Sequence, residues 1–192
     1  MPDRTPEASA PSLQRAEEVL AFWFDEVGPA QRFRRDEALD REIDARFSTL
    51  HSELARGVPQ EWQSDPRTLL AAVIVLDQFS RNLFRDDPRA FAQDAAALAL
   101  AKHGIAAGFD AGLSREEKQF LYMPLMHSED LSDVEHCIDL MRGAGHTEGE
   151  DFARRHAQVI ARFGRYPGRN AALGRTSTAE EEAFLADNNS GF

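Results

Sequence analysis

Residues 65–84 read DPRTLLAAVIVLDQFSRNLF, and this stretch decides the fold class. Asp65-Pro66 supplies a side-chain cap and then a proline at the first helical position, where no backbone N–H is needed. Leu69, Leu70, Val73, Ile74 and Leu76 follow so closely that apolar residues go nearly all round a helix reaching about Phe84. A helix apolar on every side belongs at the centre of a core, with the rest of the chain packed around it. Its second half, LDQFSRN, then carries Asp77, Gln78, Arg81 and Asn82. Asp77 and Arg81 are four apart, as are Gln78 and Asn82, so two polar pairs share neighbouring faces at the end of a buried helix. Buried polar groups need partners, and this cluster reads equally as a structural ion pair and as the floor of a site.

Working outward, the flanking segments are helical too. Leu13, Ala16, Leu20, Phe24 and Val27 recur at three- and four-residue steps behind a Ser12 cap, and Gly28-Pro29 stops them. Phe22-Trp23-Phe24 points to most sides of that helix, with Trp23 expected against a neighbour. Residues 36–56 form an amphipathic helix with a stripe of Leu39, Ile43, Phe47, Leu50 and Leu54. Downstream, Asp87-Pro88 opens an alanine-rich helix to Ala107, and the capping box Ser114 to Glu117 opens another, which Pro124 ends or kinks. A second polar cluster, His127-Ser128-Glu129-Asp130, lies at or beyond that helix end. Further boxes at Ser132 to Glu135 and Thr178 to Glu181 start two more helices, and a basic helix from about Glu148 ends at Gly164. No stretch alternates like a strand and none reads as a hairpin. The chain is therefore predicted to be all-α, with about eight helices and short links, stacked as antiparallel pairs rather than one four-helix bundle. Residues 1–12 and 188–192 read as tails, the first disordered, and residues 13–187 as a single domain.

Composition narrows the functional classes. The 192 residues carry a formal net charge of −11, which disfavours nucleic acid as a partner. One cysteine, Cys137, excludes an internal disulfide and fits a reducing cytosol, so a cytoplasmic location is expected. No apolar run approaches a membrane span and the N-terminus lacks the pattern of a signal peptide, so no membrane partner is expected. Against this acidic background, residues 152–179 hold six arginines (154, 155, 162, 165, 169 and 175) and no acid, leaving −17 for the rest of the chain. Such a segment either docks onto acidic residues of the same fold or holds an anion.

The strings VLAFWF, LDQFSRNLFR with PRAFAQD, FLYMPLMHSED and ARRHAQVIARFGRYPGRNAALGRTSTAEEEAFL occur in this order, and together they resemble the bacterial family called domain of unknown function 924. The resemblance runs from about residue 17 to the C-terminus. It implies a tetratricopeptide-like, right-handed helical array, and it implies no reaction. Ser80 stands where that family commonly has proline, and Gly168 where it commonly has histidine. A catalytic or metal role at the second position is therefore not general.

Three polar clusters lie at the ends of apolar helices: Asp77/Gln78/Arg81/Asn82, His127/Glu129, and His156/Arg165/Arg169/Asn170. If helical hairpins gather those ends, Arg165 and Arg169 can grip a carboxylate or phosphate while Asn170 donates an amide hydrogen bond. His127 or His156 would carry a proton, poised by Glu129 or Asp77. The leading expectation is a small anionic ligand in a polar pocket. The alternatives are a scaffold binding an acidic peptide or protein, and a hydrolase-type enzyme using His127 and Glu129, with His156 as a further catalytic candidate. No metal or other cofactor is expected, because no two of these histidines share a helical spacing and no H-E-x-x-H occurs. G-x-S-x-G is absent too, and Cys137 reads as core. The sequence does not set the oligomeric state.

Overall fold

The computed structural model describes residues 9–187, and every regular element among them is helical. They form two compact units: the first runs to Arg85 and resumes over Arg89–Leu113, while the second comprises Asp86–Pro88 and the chain from Ser114 onward.

The first unit contains α1 (Ala10–Ala21), α2 (Glu37–Ala55), α3 (Gln60–Gln63), α4 (Pro66–Ile74), α5 (Ser80–Leu83) and α6 (Asp94–Ala106). Asp65 caps α4 as its sequence predicts, accepting from the N–H groups of Arg67 and Thr68 at 2.8 and 3.3 Å. From Leu69 to Leu76 no residue is more than 1% exposed. Both α1 and α6 pack on α4, and α2 packs on its continuation, so the all-round apolar helix is indeed central. Partners in this unit are therefore not only neighbours in sequence, because one buried helix serves several others.

Two turns of π-helix interrupt the regular ladder, at Phe22–Glu26 and Val75–Phe79. In the first, the Val27 N–H reaches back five residues to the Phe22 carbonyl at 3.0 Å. The wider turn accompanies burial of both Phe22 and Trp23, and the Phe79 ring meets Phe22, Trp23 and Phe47 at 6.1, 5.4 and 5.1 Å. Carbonyls near the end of the first π-turn are closed by a buried arginine. Arg32 donates to the carbonyls of Trp23, Phe24 and Val27 at 2.7, 3.1 and 3.0 Å, a role suited to a cation at a helix C-terminus.

The second unit contains α7 (Arg115–Met126), α8 (Leu131–Gly143), α9 (Thr147–Phe163) and α10 (Ala179–Asp187). Here α7, α8 and α9 pack in sequence order. Val134, Val159, Ile160 and Tyr166 are buried together, with Leu131, Phe163 and Phe184 against them. Gly164 ends α9 at φ 67°, the left-handed conformation that glycine adopts without strain. The boxes at Ser114 and Thr178 form as read, with Glu181 N–H on Thr178 Oγ1 at 3.2 Å and Thr178 N–H on Glu181 Oε2 at 2.8 Å.

Several helix boundaries differ from the sequence reading. Ser9, not Ser12, caps α1, and Ser12 lies inside the helix donating to Glu61 at 2.6 Å. Residues 10–12 thus belong to α1 rather than to a tail, while residues 1–8 and 188–192 lie outside the described residues. Asp87-Pro88 opens only a 3-10 turn, Pro88–Phe91, and α6 starts at Asp94. Asp130 caps α8 in place of Ser132, because its carboxylate reaches the Ser132 N–H at 2.9 Å. α7 continues through Pro124 to Met126 and regains its ladder when the His127 N–H bonds the Met123 carbonyl at 3.0 Å.

Candidate functional site

The first polar cluster lies in the first unit, at the π-turn and α5. Asp77 accepts from Gln78 Nε2 at 2.5 Å and faces Arg81 at 3.1 Å. Arg81 also forks onto Asp94 at 3.0 and 3.1 Å. Asn82 donates to Asp40 at 2.8 Å, and Arg85 forks onto the same carboxylate at 2.5 and 2.7 Å. Two guanidinium groups meet three carboxylates here, so the cluster is largely neutralised by its own members. The structural ion pair is what this geometry describes. Beside it, Ser80 donates to the Leu76 carbonyl at 2.6 Å and meets the buried His51 ring at 2.8 Å.

In the second unit most of the arginines of the acid-poor segment are engaged by acids from outside it. Arg165 forks onto Glu181 at 2.6 and 2.8 Å and adds the Thr176 carbonyl at 3.0 Å. Arg165 and the Thr178 N–H hold the buried Glu181 carboxyl down to about 2. Arg175 forks onto Glu129 at 2.8 and 3.0 Å, and the Tyr166 N–H takes the same carboxylate at 2.9 Å. Burial opposes ionisation of Glu129, and these donors overcome it, leaving its pKa below the ordinary value. Arg154 pairs with Glu150 and Arg162 with Glu180. Asn170 is buried, its amide donating to Ser177 at 3.1 Å and to Glu181 at 3.3 Å. Arg165 and Asn170, expected to grip a ligand, therefore fasten the loop to the start of α10.

A different subset converges. Arg169 donates to the His127 carbonyl at 2.9 Å and lies 4.5 Å over the Tyr166 ring. The His156 ring lies edge-on to Tyr166 at 5.6 Å and 6.4 Å from the His127 ring. Tyr166 is held in place by its hydroxyl, which donates to the Met126 carbonyl at 2.5 Å. Burial pushes His156 down to about 4; the charges of His127, Arg169 and Arg155 act in the same direction, against its bond with the Phe152 carbonyl. His127, Arg169 and Arg155 thus place positive charge around the His156 ring, which stays neutral near pH 7. His127, His156 and Arg169 are sequence candidates for the site, whereas Arg155 enters the sequence analysis only among the six arginines and Tyr166 is not a candidate. Tyr166 sits between Arg165 and Arg169 in sequence, which was the available signal.

Cys137 is fully buried against the Tyr122 carbonyl at 3.5 Å, and burial raises its thiol to about 12. It is core, as its sequence context indicates, and it offers no thiolate for nucleophilic attack. Native protein is expected to leave a disulfide thiol reagent unreacted until denaturant is added; rapid stoichiometric reaction under native conditions would contradict this placement. Among the described residues, no group of three or more His, Cys, Asp or Glu is placed to hold a metal ion. No helix among them is long and apolar enough to cross a membrane.

A family model described as a bacterial protein of unknown function, DUF924, matches residues 19–189. Among solved structures, the chain is similar to a protein of unknown function from Agrobacterium tumefaciens, with 32% identity and a TM-score of 0.87. That match covers 92% of this chain and 99% of the other. No curated protein matches.

Proposed function

We propose, for a chain that belongs to the bacterial DUF924 family of unknown function, that it binds a small oxyanion, a carboxylate or a phosphate, at the positive cluster of the second unit. The observation supporting this reading is the gathering of His127, His156 and Arg169 about Tyr166, with Arg155 alongside. Glu129, the nearby acid, is shared between the fork of Arg175 and the charge of Arg169, so it offsets the cluster in part. An oxyanion would relieve the mutual repulsion of these groups and raise the proton affinity of His156, so that binding takes up protons. Binding is proposed rather than hydrolysis. Glu129 is fixed in its ionised form by a fork and a backbone donor, and is poorly placed to trade protons with His127.

Titration calorimetry with inorganic phosphate and with small carboxylates tests this reading. One of these anions is expected to bind, and the apparent heat should vary with the ionisation heat of the buffer, reporting proton uptake. Arg169→Lys retains charge but loses the planar fork, and should weaken affinity by about tenfold, the scale of one charge-assisted hydrogen bond. No binding of any of them at millimolar concentration would reject the site.

A further inference from the structure

Resting on that oxyanion reading, we infer that the anion is carried on a planar ring: the ligand is a nucleoside monophosphate, its phosphate on the His127, His156 and Arg169 cluster and its base against Phe152 and Arg155. Phe152 is 50% exposed, so its ring is open to a ligand. The guanidinium of Arg155 lies 4.9 Å from its ring centroid, so two flat groups are presented together at the surface. His156 Nδ1 bonds the Phe152 carbonyl at 2.8 Å. Phe152, Arg155 and His156 stand at i, i+3 and i+4 on α9 and therefore share a face. Phe152 and His156, one from the stacking surface and one from the cluster, thus stand about one helical turn, or about 5.4 Å, apart along the axis of α9. That is comparable to the span a ribose sets between a base and its 5′-phosphate.

An arginine plane beside an aromatic ring is a stacking surface that accepts any base, since each base has a π-face. An extended acidic peptide fits this surface less well. Glu148 and Asp151 lie at the same end of α9 and would repel a chain carrying charge along its length. A monophosphate concentrates its charge at one end, over the cations. The net charge of −11 likewise opposes polyphosphates more than a monophosphate.

Affinities of the full chain for phosphate, ribose 5-phosphate, adenosine monophosphate and a short oligoglutamate peptide decide the matter. Adenosine monophosphate should bind about tenfold more tightly than ribose 5-phosphate, the low end of what base stacking contributes. Phe152→Ala should remove that excess and leave phosphate affinity unchanged, while Arg169→Lys should weaken both phosphate and nucleotide. Since Phe152 is exposed, its variant should melt with the parent, and a melting curve checks this. Equal affinity for the nucleotide and ribose 5-phosphate, or an unchanged excess in Phe152→Ala, would overturn the inference while the oxyanion site stands. Failure of phosphate, carboxylates and all these probes to bind would overturn both. Tighter binding of oligoglutamate than of the nucleotide would replace the inference with a peptide scaffold.

Discussion

Phe79→Ala is expected to cost about 3–5 kcal/mol, the range for removing a large aromatic side chain from a packed core. Phe79 is fully buried and is the ring on which three others converge: Phe22, Trp23 and Phe47. Those rings come from α2 and from the π-turn that follows α1, while Phe79 closes the π-turn that follows α4. Removing it leaves a void shared by three segments, and their backbones are too far committed to other contacts to collapse into it. Denaturant melts of the parent and the variant measure the loss. Phe33→Ala is the control, because Phe33 is 60% exposed and surface changes stay within about 0.5 kcal/mol. A Phe79→Ala loss no larger than that of the control would mean that this ring is not at the centre of the first unit.

The sequence reading placed α4 at a core centre because an apolar helix with no polar face has no alternative, and the structure agrees. The end of α9 is legible because Gly164 adopts positive φ where a side chain would be strained. The π-turns were illegible. One extra residue in a turn leaves the run from Leu69 to Phe79 just as apolar, so nothing in the pattern marks it. Caps misread by a few residues have a similar cause: Ser9 and Ser12 are both good caps in composition, and only the fold shows Ser12 committed to Glu61. The arginine segment divides along the same line. Charge counting requires acids or an anion for six cations, and Arg154, Arg162, Arg165 and Arg175 meet acids. Which arginine takes Glu129 or Glu181 depends on contacts between residues 46 and 16 positions apart, which spacing along one helix does not encode. Arg175, absent from the expected site, holds the acid that the sequence reading gave to a histidine.

Lowering the pH should destabilise the protein before its carboxylates begin to titrate. His156 has a folded value of about 4 against an ordinary 6.5, so the unfolded chain binds a proton that the folded chain refuses. Its contribution is complete above pH 6.5 and is lost as the pH falls toward 4, amounting to about 3 kcal/mol across that window. His51, lowered by burial, acts in the same direction. The acids follow later: Glu181 near 2 and Glu129 below its ordinary 4.5 keep their contributions until the unfolded chain begins to take up protons at carboxylates. A plot of melting temperature against pH should therefore fall between 6.5 and 4.5 and steepen below. His156→Gln removes the titrating group, and its curve should be flatter than the parent's in the upper part of the window whatever its stability at pH 8. An oxyanion at saturating concentration should also flatten the parent curve, because it lifts the proton affinity of His156 toward that of the unfolded chain. Parallel curves for the parent and His156→Gln would show that this imidazole does not titrate abnormally in the fold. Parallel parent curves with and without phosphate, alongside a flattened His156→Gln curve, would retain the buried histidine but remove its link to an anion.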